Sequence, residues 1–256
     1  YTSQFTISDN TPPINDIVYP VSGVILNGLE KGKIIWSSSD NSFINSHEIY
    51  FSTNNGKSWQ FIGKTGGDKN NIIWNIPDVN SNTVKIKIIT KDSVGLTAES
   101  ITDVFEIKDV IVPKIELITP ENLTIFKERD TVKFKIKISD NIGINSSQVY
   151  LKIGSQSHNI NSKIFTSKTK SAIIEFEKVL RAMPDINLNL FIVVTDIAGN
   201  QTNFKSNEFR LKDNTPPSIT FLTQLSGVTI DGISNFKMDW NARDNAGIKS
   251  ISFQYT

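Results

Sequence analysis

Asp9-Asn-Thr-Pro-Pro-Ile14 returns as Asp213-Asn-Thr-Pro-Pro-Ser-Ile219, with a weaker copy, Asp109-Val-Ile-Val-Pro-Lys-Ile115, between them. The copies begin 100 and 104 residues apart, and a self-similar period is the first thing to read in a chain. Each copy follows an alternating strand end: Phe5-Thr-Ile7, Phe105-Glu-Ile107 and Phe209-Arg-Leu211. Other landmarks hold the same offsets. Eleven residues after each leading Asp stand Pro20, Pro120 and Gln224, and thirty-one after stand Asp40, Asp140 and Asp244. Four residues before those lie Trp36, Ile136 and Trp240, and nine after lie Ile49, Val149 and Phe253. Late in each complete copy come Lys91-Asp92-Ser-Val-Gly95 and Thr195-Asp196-Ile-Ala-Gly199-Asn200, with each Asp 17 residues before the next leading Asp.

Four segments follow: the end of a preceding module at 1–8, whole modules at 9–108 and 109–212, and the N-terminal part of another at 213–256. Within them the strands alternate with period two. Thr131-Val-Lys-Phe-Lys-Ile-Lys-Ile138 turns Val132, Phe134, Ile136 and Ile138 inward, and Phe236-Lys-Met-Asp-Trp240 is its third copy. Thr83–Ile89 and Asn189–Val194 form the matching late strand. The outward lysines are read as discouraging edge pairing. No apolar stripe of helical period is long enough for a true helix, and residues 177–185 are expected to make at most one turn. The fold class is all-β: tandem immunoglobulin-like β-sandwiches, whose modules have about this length.

Composition agrees. Of 256 residues six are Ala, 38 Ile, 26 Asn and none Cys, which suits strands rather than helices and rules out disulfides and thiolate metal sites. With 27 basic against 26 acidic residues, the net charge of +1 offers nothing to a phosphate backbone, so nucleic acid is not an expected partner. Apolar residues make up 38%, enough to bury real cores, and no apolar run reaches membrane-spanning length. The start at Tyr1, with no leader pattern, is read as processing or excision from a longer chain. Residues 213–256 stop after the first three strands of a module, leaving an apolar face and an open edge. The module is cut short, continues beyond Thr256, or is completed by strand donation from another chain. Asn122, Asn145 and Asn200 head glycosylation sequons, which chance supplies readily in a chain this rich in Asn and Ser.

The junction Asp9–Pro13, the strand end Trp36-Ser-Ser-Ser-Asp40, and Tyr50-Phe-Ser-Thr-Asn-Asn-Gly-Lys-Ser-Trp59 carry a resemblance. So do Trp74-Asn-Ile-Pro-Asp78 and Thr195–Asn200. The chain resembles, over its whole length, the bacterial Ig-like and fibronectin-III-like modules strung along large surface and secreted proteins. Module two departs by lacking the second half of the hairpin motif and a Trp equivalent to Trp74. The resemblance implies an extracellular or cell-surface spacer, adhesin stalk or surface-layer element without catalytic activity. The rival readings are a carbohydrate or protein binding module and a non-catalytic appendage of a secreted hydrolase. A partner would be a surface protein or glycan, or further copies in a lattice or filament.

In an Ig-like path the first strand's start, the loop between its second and third strands and the last hairpin meet at one pole. That pole would gather Asp9, Asp40 and Asp92 in module one and Asp109, Asp140 and Asp196 in module two, with Asp213 and Asp244 filling two places in the third. Two readings stand. Each Asp caps its own turn through Asx hydrogen bonds, or the carboxylates also supply oxygen ligands for Ca²⁺ at the module junctions and stiffen the string. No cofactor is otherwise indicated. Ser52–Trp59 resembles the Asp-box of sialidase-like propellers, with Asn54 where Asp is usual, but occurs once. It is read as a tight turn with Gly56 at positive φ and Trp59 packing back. Trp36, Trp74 and Trp240 are read as core, and Trp59 as half-exposed. His47 and His158 are placed in loop or strand-edge settings. No nucleophile elbow, zinc-protease helix or phosphate loop occurs. Pro12-Pro13 and Pro216-Pro217, with almost no flexible linker between modules, predict a semi-rigid string with more freedom at Pro113.

Overall fold

The computed structural model describes residues 8–121, 124–180, 186–224, 226–227, 229, 232 and 235–254. The expected tail of a preceding module thus lies almost wholly outside the described residues, as does Asn122. Two compact units divide between Ile111 and Val112. Every regular element among the described residues is a β-strand, and none of these residues forms a helix long and apolar enough to cross a membrane.

The first unit is a two-layer sandwich. Its strands are β1 (Ile14–Tyr19), β2 (Ile25–Asn27), β3 (Lys31–Ser39), β4 (Ile44–Ser52), β5 (Gln60–Gly66), β6 (Asn71–Asn75), β7 (Ser81–Asp92), β8 (Thr97–Ile101) and β9 (Phe105–Lys108). One sheet runs β1-β3-β6; the other runs β2-β9-β7-β4-β5, with β8 also on β7. Alternation sends Ile34 and Trp36 of the first sheet, and Ile49, Phe51, Ile86 and Ile88 of the second, into one core. Phe51 meets Trp74 across the layers at 5.4 Å between ring centroids. Each fully buried aliphatic side chain contributes about 1.5–3 kcal/mol of transfer free energy.

Trp74 sits opposite Gly32 in the β3–β6 ladder. A Cβ at Gly32 would lie 2.6 Å from Trp74 Nε1 and 3.0 Å from the Ile76 side chain, so the missing side chain is what admits the indole.

The second unit begins by repeating the plan with different strand lengths: β10 (Lys114–Thr119), β11 (Ile125–Lys127), β12 (Thr131–Ile153), β13 (Gln156–Val179), β14 (Ile186–Asp196), β15 (Gln201–Lys205) and β16 (Phe209–Lys212). The short parallel pair β2–β9 recurs as β11–β16, at offsets of 100 and 104 residues. The register shift at Ile17/Tyr19 recurs at Leu117/Thr119. Where module one has separate β3 and β4, module two has the single strand β12. Its first part pairs with β10 and its last part with β14, and its register with β13 shifts between Ser139 and Ile144 as it passes from one layer to the other. Long β13 follows it through both layers. All seven strands are therefore hydrogen-bonded into one sheet wrapped around its own core.

Four expectations change here. The single turn over 177–185 is not formed in its first part, because Glu177–Val179 continue β13 and pair with Thr131–Lys133; residues 181–185 lie outside the described set. The outward lysines of β12 are not edge guards, since β12 is paired on both sides. Two of them meet glutamates of β13, Lys133–Glu177 at 3.6 Å and Lys135–Glu175 at 2.7 Å. The third-copy strand starts at Trp240 rather than Phe236: β17 (Ser218–Phe221) pairs with β18 (Trp240–Arg243). Trp240 is 40% exposed, not core, because the described residues beyond β17 and β18 lay no second sheet over it; its indole packs edge-on against Phe253 at 5.0 Å.

Candidate functional site: the aspartate poles

Each leading or loop Asp stands two residues before an amide that its carboxylate can reach, the local geometry of an Asx turn. Asp9 Oδ1 accepts from the Thr11 amide at 2.9 Å and from Asn41 Nδ2 at 3.2 Å. Asp40 Oδ2 accepts from the amide and hydroxyl of Ser42 at 3.1 and 2.6 Å. Asp92 Oδ1 accepts from three amides, those of Val94, Gly95 and Leu96, at 2.9, 2.6 and 2.8 Å. Gly95 at φ +105° lets that loop wrap the oxygen. The hydrogen bond from Thr11 is the main cause that holds Asp9 below the usual carboxylate pKa.

The fold then brings the three together: Asp9, Asp40 and Asp92 each offer an oxygen within 4.8 Å of the others. Asp92 is fully buried. One oxygen of each is shielded from solvent and has no hydrogen-bond partner: Asp9 Oδ2, Asp40 Oδ1 and Asp92 Oδ2.

The second copy is built alike from Asp109, Asp140 and Asp196, all three buried and again within 4.8 Å. Asp140 does not lie in a loop, as expected, but in the kink of β12, because that strand runs on between layers. Its Oδ1 accepts from the Ile142 and Gly143 amides at 2.9 and 2.7 Å, and its Oδ2 has no partner. Asp196 Oδ1 accepts from the Ala198 and Asn200 amides, both at 2.8 Å, and Oδ2 from Asn200 Nδ2 at 2.8 Å. Burial pushes the Asp196 pKa up against those hydrogen bonds, and the nearby Asp140 charge adds to the rise.

In the third copy Asp213 Oδ1 accepts from Thr215 N and Asn245 Nδ2, both at 3.0 Å, repeating the Asp9–Asn41 contact. Asp244 Oδ1 accepts from the Ala246 and Gly247 amides at 2.8 and 3.1 Å.

Asn55 and Gly56 take φ of +58° and +82°, and the Trp59 ring lies 3.4 Å from where a Gly56 Cβ would stand. Asn54 Oδ1 accepts from the Ser58 amide and the Ser52 hydroxyl, both at 2.9 Å, closing the turn as read. Trp59 is half-buried, with Lys87 Nζ 4.7 Å above its ring. His47 is not at an edge. It lies on central β4, fully buried, edge-on to Trp36 at 5.1 Å. Asn15 Nδ2 donates to the Thr90 hydroxyl at 2.9 Å, leaving that hydroxyl's hydrogen for His47 Nδ1, also 2.9 Å away. Burial lowers the His47 pKa, while the Gly67 backbone acts the other way.

Thr102 and Ser206 belong to no motif legible in the sequence. Where β8 gives way to β9, the Thr102 hydroxyl accepts from the Ile86 amide at 3.0 Å; where β15 gives way to β16, the Ser206 hydroxyl accepts from the Leu190 amide at 2.9 Å. A hydroxyl three residues before Phe105 and Phe209 was the available signal.

No protein-family model and no curated protein sequence matches the chain. Solved structures do. Fibronectin(III)-like modules of Clostridium thermocellum CbhA align at 16% identity over 78% of this chain and 95% of that one, with a TM-score of 0.31. The Rst D1-D2 structure aligns at 6% identity over 78% and 99%, with a TM-score of 0.43. The Ig1-2 module of the Drosophila receptor tyrosine phosphatase DLAR aligns at 10% over 80% and 100%, with a TM-score of 0.27. From its own strand order, with the short parallel strand beside the last strand in both units, the chain is built of tandem Ig-like and fibronectin-III-like β-sandwich modules.

Proposed function

We propose that the chain is a non-catalytic structural repeat segment of an extracellular or cell-surface protein: a spacer, adhesin stalk or surface-layer element. The observation that carries this reading is how little chain separates successive modules. The last strand of module one ends at Lys108 and β10 begins at Lys114; β16 ends at Lys212 and β17 begins at Ser218. Each connection is too short to act as a flexible tether, and both contain proline, which fixes φ. Small-angle scattering from the full chain tests this. An elongated particle supports a spacer, and a compact folded-back particle contradicts it.

A second reading, glycan binding, is favoured by one group of side chains. Tyr50 and Phe61 stand edge-on at 5.3 Å, and Lys87 Nζ lies over both Tyr50 and Trp59. Phe61 is 58% exposed. Aromatic faces flanked by charged groups can stack on sugar rings. Retention on immobilised polysaccharides that Trp59→Ala abolishes would support it; absence of retention on a broad glycan array would remove it.

A further inference from the structure

We propose that Asp9, Asp40 and Asp92 form a calcium site at the pole of the first module. This goes beyond the spacer reading and does not depend on it. Three carboxylates in close approach are not by themselves a site, because like charges repel and each Asp already has work as a turn cap. What points to a ligand is how the oxygens are divided. In every one of the three, a single oxygen takes all the hydrogen bonds offered by the loops. The other is removed from solvent and receives none. For Asp92 the whole side chain is buried, so its Oδ2 is cut off from bulk solvent and receives no donor from the chain. A dry, unpaired carboxylate oxygen is strongly unfavourable, and each of these acids brings one to a cluster in which carboxylate oxygens approach within 4.8 Å. One cation between them answers all three at once.

The donor set selects the ion. It is all oxygen, with three negative charges. That disfavours zinc, which takes nitrogen and sulfur readily, and suits a hard cation. Mg²⁺ demands near-ideal octahedral geometry and keeps its waters, whereas Ca²⁺ accepts irregular carboxylate sets at 6–8 coordination with water completing the shell. The arrangement is also not an accident of one loop. Asp140 in the second unit is nine-tenths buried with its Oδ2 unpaired, and Asp244 repeats the pattern.

Calorimetric titration of the chelator-stripped 256-residue chain with CaCl₂ tests the proposal, alongside thermal unfolding in Ca²⁺ and in chelator. Saturable binding is expected with Kd on the order of 10⁻⁵–10⁻³ M. In Ca²⁺ at about a hundred times Kd, the first module's unfolding midpoint is expected to rise by about 10 °C. Asp40→Asn keeps an oxygen for the Ser42 donors but removes one charge. It is expected to weaken binding at this site tenfold or more and to lower the Ca²⁺ stoichiometry by one in the titratable range. Its midpoint in chelator should match or exceed that of the unaltered chain, which separates lost binding from a damaged fold. No saturable heat and equal midpoints in Ca²⁺ and chelator would overturn the site. So would an equal rise with Mg²⁺, or unchanged affinity and stoichiometry in Asp40→Asn.

Discussion

The two modules share a strand plan but fill it with different side chains, and the differences are paired. Module one has Gly32 facing Trp74; module two has Val132 at the same offset, and the ladder partner there is Lys178, not a Trp. Module one stacks Trp36 on His47 over a small polar network of Asn15 and Thr90. Module two carries Ile136, Ser147, Ile115 and Val194 at those places. A large ring is matched by a glycine, and an imidazole by hydroxyl and amide partners. Where the ring is gone, so are the glycine and the polar partners. Each module has its own closed solution, as close packing requires.

The largest effect expected from breaking this pairing is in the first module alone. Trp74→Ala removes an indole buried against Phe51 and should cost about 3–5 kcal/mol, read as an earlier denaturant midpoint for that module's transition with the other unchanged. Gly32→Val installs the residue of the second module. Its Cβ has no room beside Trp74, and a loss of about 1–3 kcal/mol is expected. The same change in a Trp74→Ala background should cost less, so a double-mutant cycle should show clear coupling. Additive losses would mean that the two positions are not matched.

A feature common to both modules should respond alike in both. Thr102→Val and Ser206→Ala each leave a buried strand amide, of Ile86 or Leu190, without its acceptor. About 1–2 kcal/mol is expected in each module by chemical denaturation. Unequal losses would show that the strand break is held differently in the two.

The smallest effect is a difference in pH response. Burial lowers the folded-state pKa of His47 below its unfolded value of about 6.5. The stability tied to its neutral form is therefore fully present above that pH and is lost as pH falls through the folded-state pKa. Module one should lose stability as pH falls below about 6.5. Module two, with Ser147 at this position, should lack that component. Following both transitions by calorimetry across this range checks it, and His47→Gln should flatten the module-one slope.

Much of this was legible in the sequence because it is local or periodic. The inward set Val132, Phe134, Ile136 and Ile138 follows from alternation alone, and all four are buried. The aspartate caps were legible because an Asx turn closes within four residues. What escaped was non-local. His47 reads as an edge residue until Thr90, 43 residues on, and Asn15, 75 residues before Thr90, are brought beneath it. The fusion of two expected strands into β12 hid behind Asp140, which reads as a loop residue, whereas Gly143 beside it supplies only a kink at φ +143°. Its long partner β13 shows no turn signal because it has no turn. Trp240 matches Trp36 by offset, yet burial depends on a covering sheet that a strand pattern does not encode. The unpaired oxygens of the aspartate poles were invisible for the same reason: sequence places carboxylates near one another but does not say which oxygen the loops consume.

The central claim is that one repeat builds two sandwiches, each with its own core. Native-state hydrogen exchange on the full chain measures this directly. Two separate sets of slowest amides are expected, around Ile86 and Ile88 in β7 and around Leu190 and Ile192 in β14, each collapsing with its own module's transition. A single protected core confined to one module, or one common opening event for both, would contradict the account.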